Sequence, residues 1–172
     1  MNLEEKKFLE SYNKDKYEKP SVTVDIIIFT NNASENQVLL IKRKKHPFKD
    51  KWAIPGGFVN IDESLEDAAK RELKEETNVD ADIIEQLYTF GKVDRDPRMR
   101  VISVAYAALI DKDKLGNVQA GDDASEAIWF TLSSNLQFTN TKTNEIITMD
   151  DLAFDHKEIM VKALNWLTSK IQ

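Results

Sequence analysis

Between Ser21 and Phe29 the side chains of Val22, Val24, Ile26, Ile27, Ile28 and Phe29 form a run that is apolar on both faces of a strand. A strand with one wet face alternates apolar and polar residues, so this run belongs in a sheet covered on two sides. Residues 37–43, with Val38-Leu39-Leu40-Ile41, read as a second strand after a turn over 31–36. The two are expected to pair as a hairpin. Further strands are expected over 81–93 and 100–111, separated by the turn-forming Asp94-Arg95-Asp96-Pro97, and over 127–131. Residues 136–149 resemble a polar hairpin around Thr141-Lys142-Thr143-Asn144.

Covering helices are expected at three places. Residues 2–16 are charged and helix-prone, and predict a surface helix packed through Leu3, Phe8, Leu9 and Tyr12. A second helix starts at Ser64, and a third spans 151–170 with Ile159, Ala163, Leu164, Trp166 and Leu167 on its apolar side. This order predicts an α/β protein, an α/β/α sandwich around a mixed β-sheet. At 172 residues the chain is one domain's worth, read as an N-terminal helical segment over 1–16 followed by a single domain over 17–172.

The middle helix carries the chemistry. On a helical wheel Glu72, Glu75 and Glu76 share an arc with Leu65, Ala68 and Ala69, so the acids are expected to point inward, while Lys70 and Lys74 lie opposite. Like charges crowded at helical spacing repel, so something positive should offset them. Ser64 with Asp67 three residues on is a good N-cap, and Asp62, Glu63, Glu66 and Asp67 suit the positive end of the helix dipole. Asn78 stands where the helix should stop, a residue type that tolerates a left-handed terminal conformation. Upstream, Pro55-Gly56-Gly57 predicts a tight turn whose backbone carbonyl can approach a cation.

Composition excludes several classes. No apolar run approaches the roughly 18 residues of a membrane span, and Met1 to Lys7 lacks the apolar core of a secretion signal. Zero cysteines leave no disulfide or thiolate metal site and fit a cytoplasmic protein. Net charge is −6, and residues 57–79 hold seven acids against three bases, so most of the excess sits at this helix. That is no nucleic-acid surface, and an anionic ligand needs cations or local basic residues.

Gly57, Glu63, Arg71, Glu72, Leu73, Glu75, Glu76 and Val79 resemble the signature box of the Nudix hydrolase family at eight fixed positions. Asn78 replaces the last glycine, a departure that touches helix termination and not chemistry. The resemblance implies the α/β/α architecture and Mg²⁺- or Mn²⁺-dependent cleavage of a diphosphate by water. On this chain it implies Glu72 and Glu76 as direct metal ligands, Glu75 as a ligand directly or through water, and the Gly56 carbonyl as a backbone ligand. Arg71 and Glu63 would pair to hold the loop against the helix. A further acid is expected beyond the box within residues 121–126, where Glu126 is favoured as metal ligand or general base over Asp122 and Asp123.

Substrate contacts are expected from basic and aromatic residues. Arg43 is selected from the run 42–45, which otherwise reads as a solvated strand end, and Arg95, Arg98 and Arg100 form a second basic group. Phe58, Trp52 and Phe90 are candidates to stack on a base, although buried aromatics are mostly core. His156 reads as a cap or packing residue, with contact to ligand as the alternative. Residues 94–103, 20–25 and 152–156 resemble the ADP-ribose-processing subgroup, which implies hydrolysis of ADP-ribose to AMP and ribose 5-phosphate. Two alternatives stay open: another substrate such as a nucleoside triphosphate, NADH or a damaged nucleotide, and an ADP-ribose-sensing domain of the NAD-metabolism repressor type. The repressor reading expects a winged helix beyond residue 151, where about twenty residues follow. Subgroup relatives imply a homodimer.

Overall fold

The computed structural model describes residues 1–32, 35–81, 83–111, 117–121 and 123–171. Helix α1 (Leu3–Ser11) leads to strands β1 (Ser21–Asn32) and β2 (Glu35–Arg43), then two short strands, β3 (Trp52–Ala53) and β4 (Gly56–Phe58). Helix α2 (Leu65–Thr77) follows, then β5 (Glu85–Phe90), β6 (Val101–Asp111), β7 (Ala124–Leu132), β8 (Phe138–Asn140) and β9 (Ile146–Ile147). A 3-10 turn (Met149–Asp151) precedes α3 (His156–Ile171).

The strands form one mixed sheet in the order β5-β6-β1-β2-β7-β8-β9, with β3 on β2 and β4 on β1. Only β1 and β6 run parallel among the described pairs, and they do so at the centre. Both faces of β1 are buried, as its two-sided apolar pattern requires. Ile27 and Phe29 face a core closed by Ile159, Met160 and Ala163 of α3. Val24, Ile26 and Ile28 face a second core closed by Ala68, Ala69 and Leu73 of α2. The expected α/β/α sandwich is the observed one.

Several local expectations change. The β1–β2 ladder reaches Asn32↔Glu35, so the reversal is tighter than a turn over 31–36. The strand expected over 81–93 is confined to β5, whose ends are loop. The helix expected to begin at 151 is first a 3-10 turn, and α3 starts at His156. Helix α1 has no buried residue, and Leu3, Phe8, Leu9 and Tyr12 are exposed rather than packed. Gly56 and Gly57, expected with Pro55 in a tight turn, belong to strand β4, which pairs with β1. Glycine is needed there for closeness: a Cβ at Gly56 would lie 2.2 Å from the Val24 carbonyl oxygen.

Candidate functional site

Helix α2 is built as its sequence indicates. The Ser64 hydroxyl accepts from the Asp67 N–H at 3.1 Å, and Asn78 closes the helix in the left-handed region at φ 59°. A loop then caps the other end. Gln119 N–H and Gly121 N–H donate to the carbonyls of Thr77 and Glu76, which helix geometry leaves without an internal donor. Gly121 sits so close that a Cβ would lie 1.7 Å from the Glu75 carbonyl oxygen. Asp123 is thereby delivered to the cleft beside α2. Asp122 lies outside the described residues.

The acids of α2 divide by what they touch. Glu76 is 8% exposed and accepts from the Gly56 N–H at 2.9 Å. Burial, opposed by that hydrogen bond and reinforced by the nearby Glu72 charge, raises its pKa to about 8. The Glu72 carboxylate lies against Gly57, where a Cβ would come within 2.4 Å of it. Burial raises its pKa as well, against the pull of Arg71. Glu75 is exposed, at the edge of the arc instead of inside it.

Arg71 gathers this end of the helix. Its guanidinium donates to Glu63 at 2.6 and 2.9 Å, to Glu72 at 2.7 Å, to Glu75 at 3.2 Å and to the Phe58 carbonyl at 3.1 Å. The hydrogen bonds from Arg71 hold the Glu63 pKa at about 2. Arg71 itself is pushed upward by the same bonds and stays charged. One cation therefore ties the loop carrying Glu63 to two acids of the helix, a supporting arrangement that orients carboxylates for use elsewhere.

The same cleft has a basic and aromatic wall. Arg43, from the end of β2, donates to the Pro47 carbonyl at 2.9 Å, and its Cζ lies 4.9 Å from the Phe154 ring centre. Arg98 is forked onto Asp96 at 2.8 and 3.0 Å, with its Cζ 5.4 Å from the Phe58 ring and 5.9 Å from Phe154. Burial and the Arg98 charge both lower the Arg43 pKa, as expected where two guanidiniums share a wall. Both arginines, Phe58, Glu76 and Asp123 line one cleft.

The remaining candidates separate cleanly. Arg95, expected at substrate, lines the floor of the cleft but is buried there, donating to Asp155 at 2.6 and 2.8 Å with Asp25 3.7 Å away. A guanidinium locked between buried carboxylates is framework. Arg100 points outside the cleft, donating to the carbonyls of Gly91 and Lys92 at 2.8 and 3.0 Å. Trp52 and Phe90 are core at 4% and 8% exposure, and Phe58, at 41%, is the aromatic of the three that reaches the cleft. His156 is buried, and its Nδ1 accepts from the Ile54 N–H at 3.0 Å. Burial lowers its pKa, keeping it neutral. Its Nε2 then carries the hydrogen, 3.5 Å from Asp25.

Glu126 does not reach the box. It shares a strand face with Ile128 and Phe130, which pack in the core under α3, and accepts from Lys42 at 3.2 Å. Helix α2 covers the opposite face. Of the acids expected beyond the box, Asp123 lines the cleft, 2.7 Å from the Lys45 ammonium. Residues missed from the sequence are Asp96, which forks Arg98, and Phe154, which touches both cleft arginines. Both lie in stretches that carry the subgroup resemblance, 94–103 and 152–156, which marked the segments without singling out either residue.

Among the described residues no three acid, histidine or cysteine side chains converge as a closed metal site. Glu72 and Glu75 turn to Arg71, and Glu76 turns to Gly56. The donor set is still all oxygen, and a buried Glu76 raised by desolvation is a carboxylate whose charged form calls for a cation. These residues fit a hard divalent ion and not a thiophilic one.

The family model for the NUDIX domain matches residues 19–151. The ADPR responsive transcriptional repressor NtrR of Acinetobacter baylyi is 36% identical over 168 residues, 96% of this chain and 62% of the repressor. The chain thus spans less than two thirds of that relative. The ADP-ribose pyrophosphatase of Methanocaldococcus jannaschii is 39% identical over 150 residues, 87% of this chain and 76% of the enzyme. In structure, a MutT/nudix family protein from Enterococcus faecalis superposes with a TM-score of 0.84 at 42% identity, covering 98% of this chain and 70% of that one. The NUDIX domain of Shewanella oneidensis NrtR, solved with ADP ribose, gives 0.76 at 33% identity, covering 97% and 99%. With its box glutamates on α2 and the domain model matched across the sheet, the chain belongs to the Nudix family.

Proposed function

We propose that this protein hydrolyses the diphosphate of ADP-ribose, releasing AMP and ribose 5-phosphate, with Mg²⁺ or Mn²⁺. The observation that carries the reading is that Glu76 and Arg43 line one cleft, an acid for cations together with a guanidinium for phosphate oxygens. The substrate is named from the Methanocaldococcus pyrophosphatase and from the Shewanella domain bound to ADP ribose.

Glu72, Glu75 and Glu76, with the Gly56 carbonyl, would hold the cation. When bound, such an ion supplies positive charge against the phosphate oxygens and makes water more acidic. Arg71 orients Glu72 and Glu75 and braces the Glu63 loop. Arg43 and Arg98 donate to phosphate oxygens, offsetting the charge that repels an attacking water. Phe58, beside Arg98, offers a ring to the nucleoside. Water attacks one phosphorus, its proton passes to a cleft carboxylate outside the cation-holding set, Asp123, and the bridging P–O bond breaks to leave two phosphate monoesters. Asp123 supersedes Glu126 as the acid beyond the box.

Purified protein incubated with ADP-ribose and Mg²⁺ is expected to release AMP, and to release none when the ion is chelated. The same assay with NADH, diadenosine polyphosphates and nucleoside triphosphates ranks the substrates. No turnover of any of them sinks the enzyme reading. A second reading, ligand sensing, is supported by the match to the Acinetobacter repressor across 96% of this chain. Tight ADP-ribose binding without turnover is the outcome that selects it.

A further inference from the structure

Phe154 is held in a conformation that bulky side chains rarely adopt. Its φ is 52°, and the ring that touches it, Phe48 at 4.6 Å between centres, has φ 59°. A large L-residue in the left-handed region persists only where its surroundings over-determine it, and such positions gather at ligand sites. The surroundings here are explicit. On one side the Ala153 N–H donates to the Trp52 carbonyl at 2.8 Å. On the other, Asp155 is forked by Arg95 and His156 accepts from Ile54.

This pinning places one aromatic ring against two guanidiniums. Arg43 and Arg98 come from β2 and from the loop before β6, and each Cζ lies within 6 Å of the Phe154 centre. Asp96 holds Arg98 and the Pro47 carbonyl holds Arg43, each from its own side, and the face of the one ring shared by both guanidiniums attracts each of them. The same Arg95–Asp155 pair anchors both loops, because Arg95 is three residues before Arg98 and Asp155 directly follows Phe154.

We propose that Phe154 is a positioning residue: its ring, braced by Phe48, sets Arg43 and Arg98 side by side as a seat for the phosphate oxygens of a nucleoside diphosphate. The assignment rests on the cleft being the nucleotide site proposed above. It adds a determinant that lies outside the box and contributes no hydrogen bond of its own.

The test uses Phe154→Leu, Phe154→Tyr and Phe154→Gly in the full chain. ADP affinity is measured by calorimetry in metal-free buffer, ADP-ribose turnover with Mg²⁺, and melting temperature alongside. Loss of the shared ring is expected to weaken ADP binding and raise KM by about tenfold, with kcat changed less than about threefold. Phe154→Tyr keeps the ring and should restore both values. Glycine adopts positive φ freely, so Phe154→Gly should fold and bind as weakly as the leucine variant. ADP binding by the leucine or glycine variant at wild-type strength overturns the assignment, as does a tyrosine variant no better than leucine. Failure of the wild type to bind millimolar ADP also overturns it. If the wild type binds ADP and hydrolyses nothing, the hydrolase reading falls while the affinities still judge Phe154.

Discussion

The two walls of the cleft are made in opposite ways. The acidic wall comes from residues 56–76, a strand edge and one helix adjacent in the chain, and its members are placed by helix periodicity and two close-fitting glycines. The basic wall draws Arg43, Arg98 and Phe154 from three segments distant in the chain, the end of β2 and two loops, and the buried Arg95–Asp155 pair ties the two loops together. A wall built from one segment keeps its geometry whenever that segment folds. A wall built from three depends on the core below it.

Four outcomes separate the walls. Glu76→Gln, which retains an acceptor for the Gly56 N–H but removes the charge, should lower kcat by roughly a hundredfold or more, because several kcal/mol of charge stabilisation are at stake. Steady-state assay at saturating Mg²⁺ checks this, and activity within about threefold of wild type would remove Glu76 from the metal site. Arg95→Ala should act on the fold. It strands Asp155 as a buried charge at a cost of about 3–5 kcal/mol, whereas Arg98→Ala should raise KM and leave the urea midpoint nearly unchanged. Equal midpoints for the two variants would contradict the division between framework and cleft arginine.

The third outcome concerns pH. The groups facing His156 are Asp25 and Asp155, which favour its protonation, and Arg95 and Arg43, which oppose it, while burial is the largest influence and lowers its pKa. A histidine depressed in the fold contributes stability above its unfolded pKa of about 6.5, and that contribution is lost as pH falls through the folded value. Wild type should therefore lose more stability between pH 7.5 and 5.5 than His156→Gln does, as read from denaturation midpoints. The smallest effect is expected of Glu126→Gln. Its ion pair with Lys42 is partly exposed, so stability should change by less than about 1 kcal/mol, with turnover near wild type.

Particular residues show why some of this was readable. Ser64, Asn78 and the Arg71–Glu63 spacing act within one or two helical turns of their targets, so local geometry suffices. The strand face of Glu126 was legible too. Strand alternation puts it with Ile128 and Phe130, and proximity in sequence to Asp123 said nothing about which face it takes. Strands β3 and β4 are too short to register as periodic patterns, and two of the three residues of β4 are glycine. The apolar residues of α1 looked like a packing face and are exposed, because apolarity states a preference and not a partner.

Arg95 and Arg98 put the boundary most sharply. Both are arginines in one polar turn, and nothing in residues 94–100 distinguishes the one forked by Asp155 from the one left at the cleft. Covalent neighbourhood and periodicity were enough for the doubly covered central strand, the capped acidic helix and the family. Which arginine is locked by Asp155, which acid beyond the box lines the cleft with Glu76, and that Phe154 lies there beside two guanidiniums depended on long-range packing. Those contacts cross dozens of residues, and their geometry exists only once the core has closed.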